Sequence, residues 1–224
     1  KHRRRQRQMC IRDRHGSASV VSAVYALAKN KVKKNVIGIV GLVENMPGGN
    51  AQRPGDVVTS RSGQTVQMLN SDAEGRLVLI DIIDYVQEKY LPAKIINLAT
   101  LTGAVVIALG HEYAGLWSNN FSFANEFIAS SRDTLDKYWR MPLHDTFDKG
   151  INSKVADFAN INTAPVGANS CTAAHFVGRS IKNKTPWIHL DIAGAAFGAV
   201  TSQYSATNGN GFGVESLFNF VKNS

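Results

Sequence analysis

The 224-residue chain lacks the features that mark several protein classes. It contains no run of about 18 uninterrupted apolar residues, so the sequence predicts no membrane span. The first residues are basic, but neither an apolar core nor a small-residue cleavage site follows them, so no secretory signal is predicted. Its two cysteines, Cys10 and Cys171, have a spacing that suits neither a disulfide framework nor a metal site. We therefore expect a cytoplasmic protein.

Common catalytic and metal-binding motifs are missing as well. The six histidines include no pair at His-x-x-x-His spacing, which argues against a helical zinc site. The glycine-rich residues 209–213 are not followed by Lys-Ser or Lys-Thr, so they predict a turn and not a phosphate loop. With 44% hydrophobic and 19% charged residues, the composition is that of an ordinary globular protein.

The net charge of +8 is concentrated at the N-terminus. Residues 1–14 hold seven of the 25 basic residues and one of the 17 acidic ones, which leaves the rest of the chain with a net charge of +2. A short arginine-rich arm can bind phosphates, so DNA binding is an alternative function, but the nearly neutral remainder makes nucleic acid an unfavoured partner. Residues 8–14 resemble a translated sequencing adapter. We expect residues 1–15 to form a basic leader that is non-native or disordered.

Strand and helix patterns alternate along the rest of the chain. Continuous apolar runs predict strands at 35–43, 66–69, 95–101, 113–117 and 187–194. Helical spacing predicts helices at 17–29, 77–88, 123–138, 169–181 and 214–221. This alternation indicates an α/β fold, with a mostly parallel central sheet flanked by helices in a single domain. Ligands in such sheets bind at the carboxyl ends of strands, where residues 70–76 and 100–103 are expected to lie.

The stretch at residues 70–77 carries the most informative chemistry. In an extended loop, alternate side chains point the same way, so Asp72, Glu74 and Arg76 would share one space, with Gly75 allowing close approach of the backbone. Crowded carboxylates are costly unless cations neutralise them, and a pair of divalent metal ions would do so. The spacing is equally compatible with a surface turn in which acids favour the start of a helix and the arginine is solvated.

A family resemblance separates these two readings. Residues 70–77, Asn-Ser-Asp-Ala-Glu-Gly-Arg-Leu, resemble the Asn-Thr-Asp-Ala-Glu-Gly-Arg-Leu signature of the leucyl aminopeptidase family with one conservative change. Five further stretches resemble the family in the same order: residues 41–47, 50–56, 97–104, 139–143 and 189–194. The likeness covers about residues 16–222, nearly all of the chain after the leader.

The resemblance implies an α/β catalytic domain in a cytoplasmic homo-hexamer. It also implies two divalent ions, commonly zinc or manganese, and the removal of N-terminal residues, often leucine, from peptides. Asp72 and Glu74 match metal ligands of the family, and Arg76 matches its catalytic arginine, which holds a bicarbonate that acts as general base. The residues that match substrate-binding or bicarbonate-binding positions are Asn70, Ala73, Gly75, Thr100, Leu101 and Gly103.

The chain also departs from the family. The family places a metal-binding lysine, a metal-binding aspartate and a catalytic lysine in a glycine-rich segment upstream of the first helix, and this chain has no such segment. Asp13 falls where a further metal ligand would lie, although its neighbours do not resemble the Asp-Met-Gly-Gly context of the family. We therefore interpret residues 16–224 as an incomplete catalytic domain that lacks its first metal-binding segment, and we expect this chain alone to be weakly active or inactive.

Overall fold

The computed structural model describes residues 14–43, 45, 48–196 and 209–224. These residues form two compact units. The α-helices are α1 His15–Lys29, α2 Gly75–Tyr90, α3 Gly103–Leu109, α4 Phe121–Ser130, α5 Asp145–Lys149, α6 Asn169–Gly178 and α7 Val214–Asn223. The strands are β1 Val57–Thr59, β2 Thr65–Gln67, β3 Ile95–Ala99, β4 Ala114–Ser118, β5 Tyr138–Arg140, β6 Phe158–Ala159 and β7 Trp187–Asp191. None of the helices in these ranges is long and apolar enough to cross a bilayer.

The first unit is built on a four-stranded sheet with the order β3-β7-β4-β5. Strand β4 pairs parallel with β5 and antiparallel with β7, with Leu116 opposite Leu190. Helices α1, α4 and α7 pack in the same unit, whose core contains an aromatic cluster. In this cluster the ring of Phe127 lies 5.1 Å from Tyr138 and 5.6 Å from Phe220 between centroids. Such large apolar side chains supply most of the stabilisation of a core.

The second unit has a small three-stranded sheet with the order β1-β2-β6. Strands β1 and β2 form an antiparallel hairpin, and β2 pairs parallel with β6, with Gln67 opposite Ala159. Because β2 and β6 run in the same direction, the residues that follow them lie side by side at one edge. Helix α2 packs its buried face on this sheet and on α6, through a core formed by Val66, Ile80, Ile151, Phe158 and Phe176.

A buried carboxylate fixes the middle of α2. Asp84 is only 2% exposed and forms ion pairs with Arg61 and Lys182. Burial opposes ionisation of Asp84, but hydrogen bonds from Lys182 and Arg61 outweigh this effect and lower its pKa. Asp84 thereby anchors the helix about two and a half turns after its first residue, Gly75.

The α/β class predicted from the sequence is confirmed. In the four-stranded sheet β4 pairs parallel with β5. The hydrogen bonds from the N–H of Ile95 to Pro186 and from the N–H of Ile192 to Ala99 follow β3 and β7 in the same direction. The pairing β4/β7 is antiparallel, and so is β1/β2 in the small sheet. The predicted helix at 123–138 ends at Ser130 and is followed by strand β5. The hydroxyls of Ser130 and Ser131 donate to carbonyl oxygens three residues earlier. Such side-chain bonds compete with helix propagation.

The predicted buried strand at residues 35–43 is wrong. These residues form no strand, and Val36 and Ile37 are 40% and 53% exposed. Part of the run instead lies along α1, where a Cβ atom added to Gly38 would stand 2.7 Å from Cγ2 of Val24. A β-branched run favours extended backbone, but a strand also needs a neighbour with which to exchange hydrogen bonds, and the described residues provide none for it.

Candidate active site

The stretch that matches the family signature joins β2 to α2. The stretch is not the extended loop that the alternation of side chains requires, because Ser71–Ala73 form a turn of 3₁₀ helix and Gly75 already begins α2. Asn70 caps the turn, and its Oδ1 accepts a hydrogen bond of 2.9 Å from the backbone N–H of Asp72. Asparagine is a preferred residue at such caps because its side chain replaces a missing backbone acceptor.

The three charged residues of this stretch therefore occupy different environments. Asp72 is exposed, Glu74 is half-buried and Arg76 is buried. Nη1 of Arg76 donates to the carbonyl oxygen of Asn160 at 2.7 Å, and its guanidinium carbon lies 5.6 Å from the centre of the Phe176 ring. The structure thus brings the two acids and the arginine to one loop–helix junction, although not by the alternation that we predicted.

The carboxylate of Glu74 shows whether this junction suits a divalent cation. Its Oε2 atom is buried and has no hydrogen-bond partner among the described residues. A buried carboxylate oxygen without a partner is costly, whereas hard cations prefer such oxygens as ligands. The Oε2 atom of Glu74 therefore fits a metal ion as a ligand, and Asp72, two residues earlier, offers a second carboxylate that is exposed. In the described part of the chain, however, no group of three histidine, cysteine, aspartate or glutamate side chains comes together that could complete the ligand set.

Gly75 offers space beside the two acids. A Cβ atom at this position would meet no atom of the described residues within 4 Å. Since Gly75 is the first residue of α2, Gly75→Ala should leave the free energy of unfolding unchanged or raise it by about 0.5 kcal/mol. Urea unfolding of the 224-residue chain measures this effect.

Gly194 is the matched control for that substitution. A Cβ atom there would overlap the backbone carbonyl oxygen of Gly110, so Gly194→Ala should lower the unfolding free energy by about 2 kcal/mol. An equal loss in both variants would show that the fold itself requires a glycine at position 75.

Asn160 is a polar residue of this junction that the sequence analysis missed. It is fully buried directly after β6, and its side chain is hydrogen-bonded to the backbone of the signature stretch. The only sequence feature that could have identified Asn160 is its amide side chain directly after the apolar pair Phe158–Ala159. Its partners lie about 90 residues earlier in the chain, so local sequence could not identify them.

The remaining predicted residues, Thr100, Leu101 and Gly103, follow β3 in the first unit. Thr100 and Leu101 are half-buried and Gly103 is exposed. This loop is held by Asp191, a second residue that the sequence analysis missed. Oδ1 of Asp191 accepts from the backbone N–H of Leu101 at 3.0 Å, and its Oδ2 accepts from Oγ1 of Thr102 at 2.6 Å.

Asp191 also holds the end of its own strand. Its Oδ1 accepts a hydrogen bond of 3.2 Å from the N–H of Ala193. Burial raises the pKa of Asp191 to about 6, and the hydrogen bonds from Thr102, Ala193 and Leu101 partly offset this effect. The carboxyl group therefore joins the ends of β3 and β7 through one fully buried side chain.

The predicted site residues thus fall into two groups. The structure brings six of them together in one short stretch of the second unit: Asn70, Asp72, Ala73, Glu74, Gly75 and Arg76. The other three, Thr100, Leu101 and Gly103, lie together in the first unit. Asp13, the further predicted metal ligand, lies outside the described residues.

Comparisons with known proteins point to one family. The profile of the catalytic domain of the cytosol aminopeptidase family matches residues 1–218. The chain is 54% identical over 210 residues to the probable cytosol aminopeptidase of Rickettsia felis, and this match covers 94% of the chain and 42% of the relative. The cytosol aminopeptidase of Rickettsia prowazekii is similar to the same extent. The chain thus spans about two fifths of the length of these curated relatives.

A solved structure agrees with the sequence matches. A variant of tomato leucine aminopeptidase is similar to the chain with a TM-score of 0.83 and 35% sequence identity, over 93% of this chain and 40% of the tomato protein. The family profile covers nearly the whole chain, and the signature stretch has the local structure described above. We conclude that the chain belongs to the cytosol aminopeptidase family, within its catalytic domain.

Proposed function

We propose that this chain provides the carboxylate and guanidinium part of the active site of a cytoplasmic, dinuclear metal-dependent aminopeptidase. The observation that carries the proposal is the buried Oε2 atom of Glu74, which has no hydrogen-bond partner among the described residues and lies in the signature stretch. Asp72 and Glu74 would hold the ions, zinc or manganese. Two such metal ions would lower the pKa of a bound water molecule and would polarise the peptide carbonyl.

Arg76 is proposed to act on the reacting groups as a fixed cation. Its guanidinium is anchored to the carbonyl oxygen of Asn160, so little reorganisation is needed when negative charge develops nearby. A planar guanidinium also matches a planar anion, which supports the proposal that Arg76 holds a bicarbonate as general base. The match to family positions supports peptide or bicarbonate binding by a further set of residues: Asn70, Ala73, Gly75, Thr100, Leu101 and Gly103.

Family membership also supports a homo-hexamer as the assembly and peptides with N-terminal leucine as substrates. For the chain by itself we expect weak leucine-anilide hydrolysis or none, because its described residues do not bring three metal-ligating side chains together. Ready hydrolysis by the purified 224-residue chain would contradict this expectation.

A chimera tests the proposed function directly. In it, the chain replaces the matching 210-residue segment of the Rickettsia felis relative, which supplies the rest of its own polypeptide. We expect the chimera to hydrolyse leucine anilide and to release the first residue of a leucyl peptide only when manganese or zinc is present. A well-folded chimera that shows no metal-dependent hydrolysis, beside an active unmodified relative, would refute the proposal.

A further inference from the structure

The side chain of Asn160 is hydrogen-bonded on both of its polar atoms to the stretch that carries Asp72 and Glu74. We propose that Asn160 is a positioning residue that holds these two carboxylates in the arrangement from which they bind a divalent cation. This inference rests on the proposed function, because it takes Asp72 and Glu74 as cation ligands. Asn160 itself would not touch the cation.

The strand register explains how a residue so distant in sequence reaches this stretch. Strands β2 and β6 are parallel, with Gln67 opposite Ala159. The N–H of Asn160 continues this ladder by donating to the carbonyl oxygen of Gln67 at 2.9 Å. The side chain of Asn160 consequently lies beside the first residues after β2 and is 0% exposed.

Both ends of the amide group are used. Oδ1 of Asn160 accepts from the backbone N–H of Leu69 at 2.8 Å and of Asn70 at 3.3 Å. Nδ2 donates to the carbonyl oxygen of Asn70 at 2.6 Å and of Ala73 at 3.3 Å. An amide of this length can accept and donate at once, whereas aspartate only accepts and alanine does neither.

These four hydrogen bonds hold the 3₁₀ turn at both ends. Asn70 is the residue that caps the turn and Ala73 is its last residue. Asp72 lies within the turn and Glu74 follows it directly, so the positions of both carboxylates depend on the turn. The backbone carbonyl of Asn160 in addition accepts from Nη1 of Arg76. Asn160 therefore contacts residues before the two acids in the sequence, through the backbone of Asn70, and after them, through the side chain of Arg76.

The first part of the test measures the loop without any metal. In the 224-residue chain, Asn160→Ala should speed amide hydrogen exchange at Leu69 and Asn70 by about tenfold or more, because both N–H groups lose their acceptor. Asn160→Asp keeps the acceptor, so exchange at Leu69 should stay close to that of the wild type. Asn162→Ala is the matched control, since the side chain of Asn162 bonds only to Gly167 and Asn169 in the described structure.

The second part measures Mn²⁺ affinity by electron paramagnetic resonance in the chimera, whose remaining polypeptide comes from the Rickettsia felis relative, with urea unfolding of each variant beside it. We expect Asn160→Ala to weaken Mn²⁺ binding by about 10- to 100-fold, as is typical when the partner of a metal ligand is removed. Asn162→Ala should bind like the wild type. If Asn160 only stabilised the fold, Asn160→Ala would weaken Mn²⁺ binding only in proportion to the fraction of unfolded protein. A larger loss of affinity supports the proposal that Asn160 positions the two carboxylates.

Three results would overturn the inference: unchanged exchange at Leu69 and Asn70 in Asn160→Ala, a loss of Mn²⁺ binding fully explained by unfolding, or an equal loss in Asn162→Ala. Glu74→Gln separates this outcome from failure of the proposed function. If wild type and Glu74→Gln bind Mn²⁺ equally, or neither binds, the ligand role of Glu74 is refuted. In that case the exchange rates still decide whether Asn160 holds the loop.

Discussion

Glu74→Gln in the chimera is expected to lower leucine-anilide hydrolysis by about 100-fold or more. The substitution keeps the size of the side chain but removes the negative charge that a divalent cation requires. Mutation of a residue that is hydrogen-bonded to a metal ligand typically lowers metal affinity or activity by about 10- to 100-fold. Loss of the ligand itself should lower activity by at least as much. Steady-state kinetics at several Mn²⁺ concentrations measure the effect, and part of the lost activity should return at high Mn²⁺.

Glu88→Gln provides the control for that experiment. Glu88 lies on the same helix, is exposed and pairs with Arg61, so its substitution should leave hydrolysis unchanged within about twofold, as expected for an exposed ion pair. If Glu74→Gln were as active as Glu88→Gln, Glu74 would not be a metal ligand and the proposed active site would have to be abandoned.

Asp191→Ala should lower the unfolding free energy of the 224-residue chain by about 3 kcal/mol. The substitution leaves the N–H groups of Leu101 and Ala193 and the hydroxyl of Thr102 without their acceptor, and each buried donor left unpaired costs about 1–3 kcal/mol. Asp191→Asn retains one acceptor oxygen of the same geometry, so it should stay within about 1 kcal/mol of the wild type near neutral pH.

The pKa of Asp191 gives the same residue a characteristic pH dependence. In the folded state the carboxyl keeps its proton up to a pH of about 6, whereas its ordinary pKa is 3.8. A raised pKa in the folded state contributes stability that is fully present below pH 3.8 and is lost as the pH rises through about 6. Relative to Asp191→Asn, the wild type should lose about 3 kcal/mol across this range, since each pH unit corresponds to about 1.4 kcal/mol.

Urea unfolding on both sides of pH 6, followed by tryptophan fluorescence, tests this expectation. Trp117 is a suitable reporter because it is fully buried in the strand that pairs with β7. A constant difference between wild type and Asp191→Asn at all pH values would show that the carboxyl ionises normally in the folded chain.

Several features of the fold depend only on local residues. Helices α1, α2 and α6 follow from apolar spacing and end within three residues of the predicted positions. The location of the acids at 72 and 74 after a strand and before a helix also follows from local pattern. These features need only neighbouring residues for their formation, so a window of sequence contains the necessary information.

Other features depend on residues far apart in the chain. The residue Asn70 converts the expected extended loop into a capped turn, and its own position is set by Asn160, 90 residues later. Asp191 likewise contacts residues 89 or 90 positions earlier. Hydrogen-bond partners of buried polar groups are determined by strand register, which periodicity does not reveal. For the same reason the antiparallel pairing of β4 with β7 could not be predicted.

The exposed run after α1 has a consequence for handling the protein. Residues 36–40 are β-branched apart from Gly38, and within the described ranges no backbone hydrogen bond engages them. Such an open edge is a template on which a second molecule can add a strand, as in amyloid-type self-association. Lys31, Lys33 and Lys34 stand immediately before it and act as charged gatekeepers, so low ionic strength, which preserves their mutual repulsion between molecules, favours a dispersed solution.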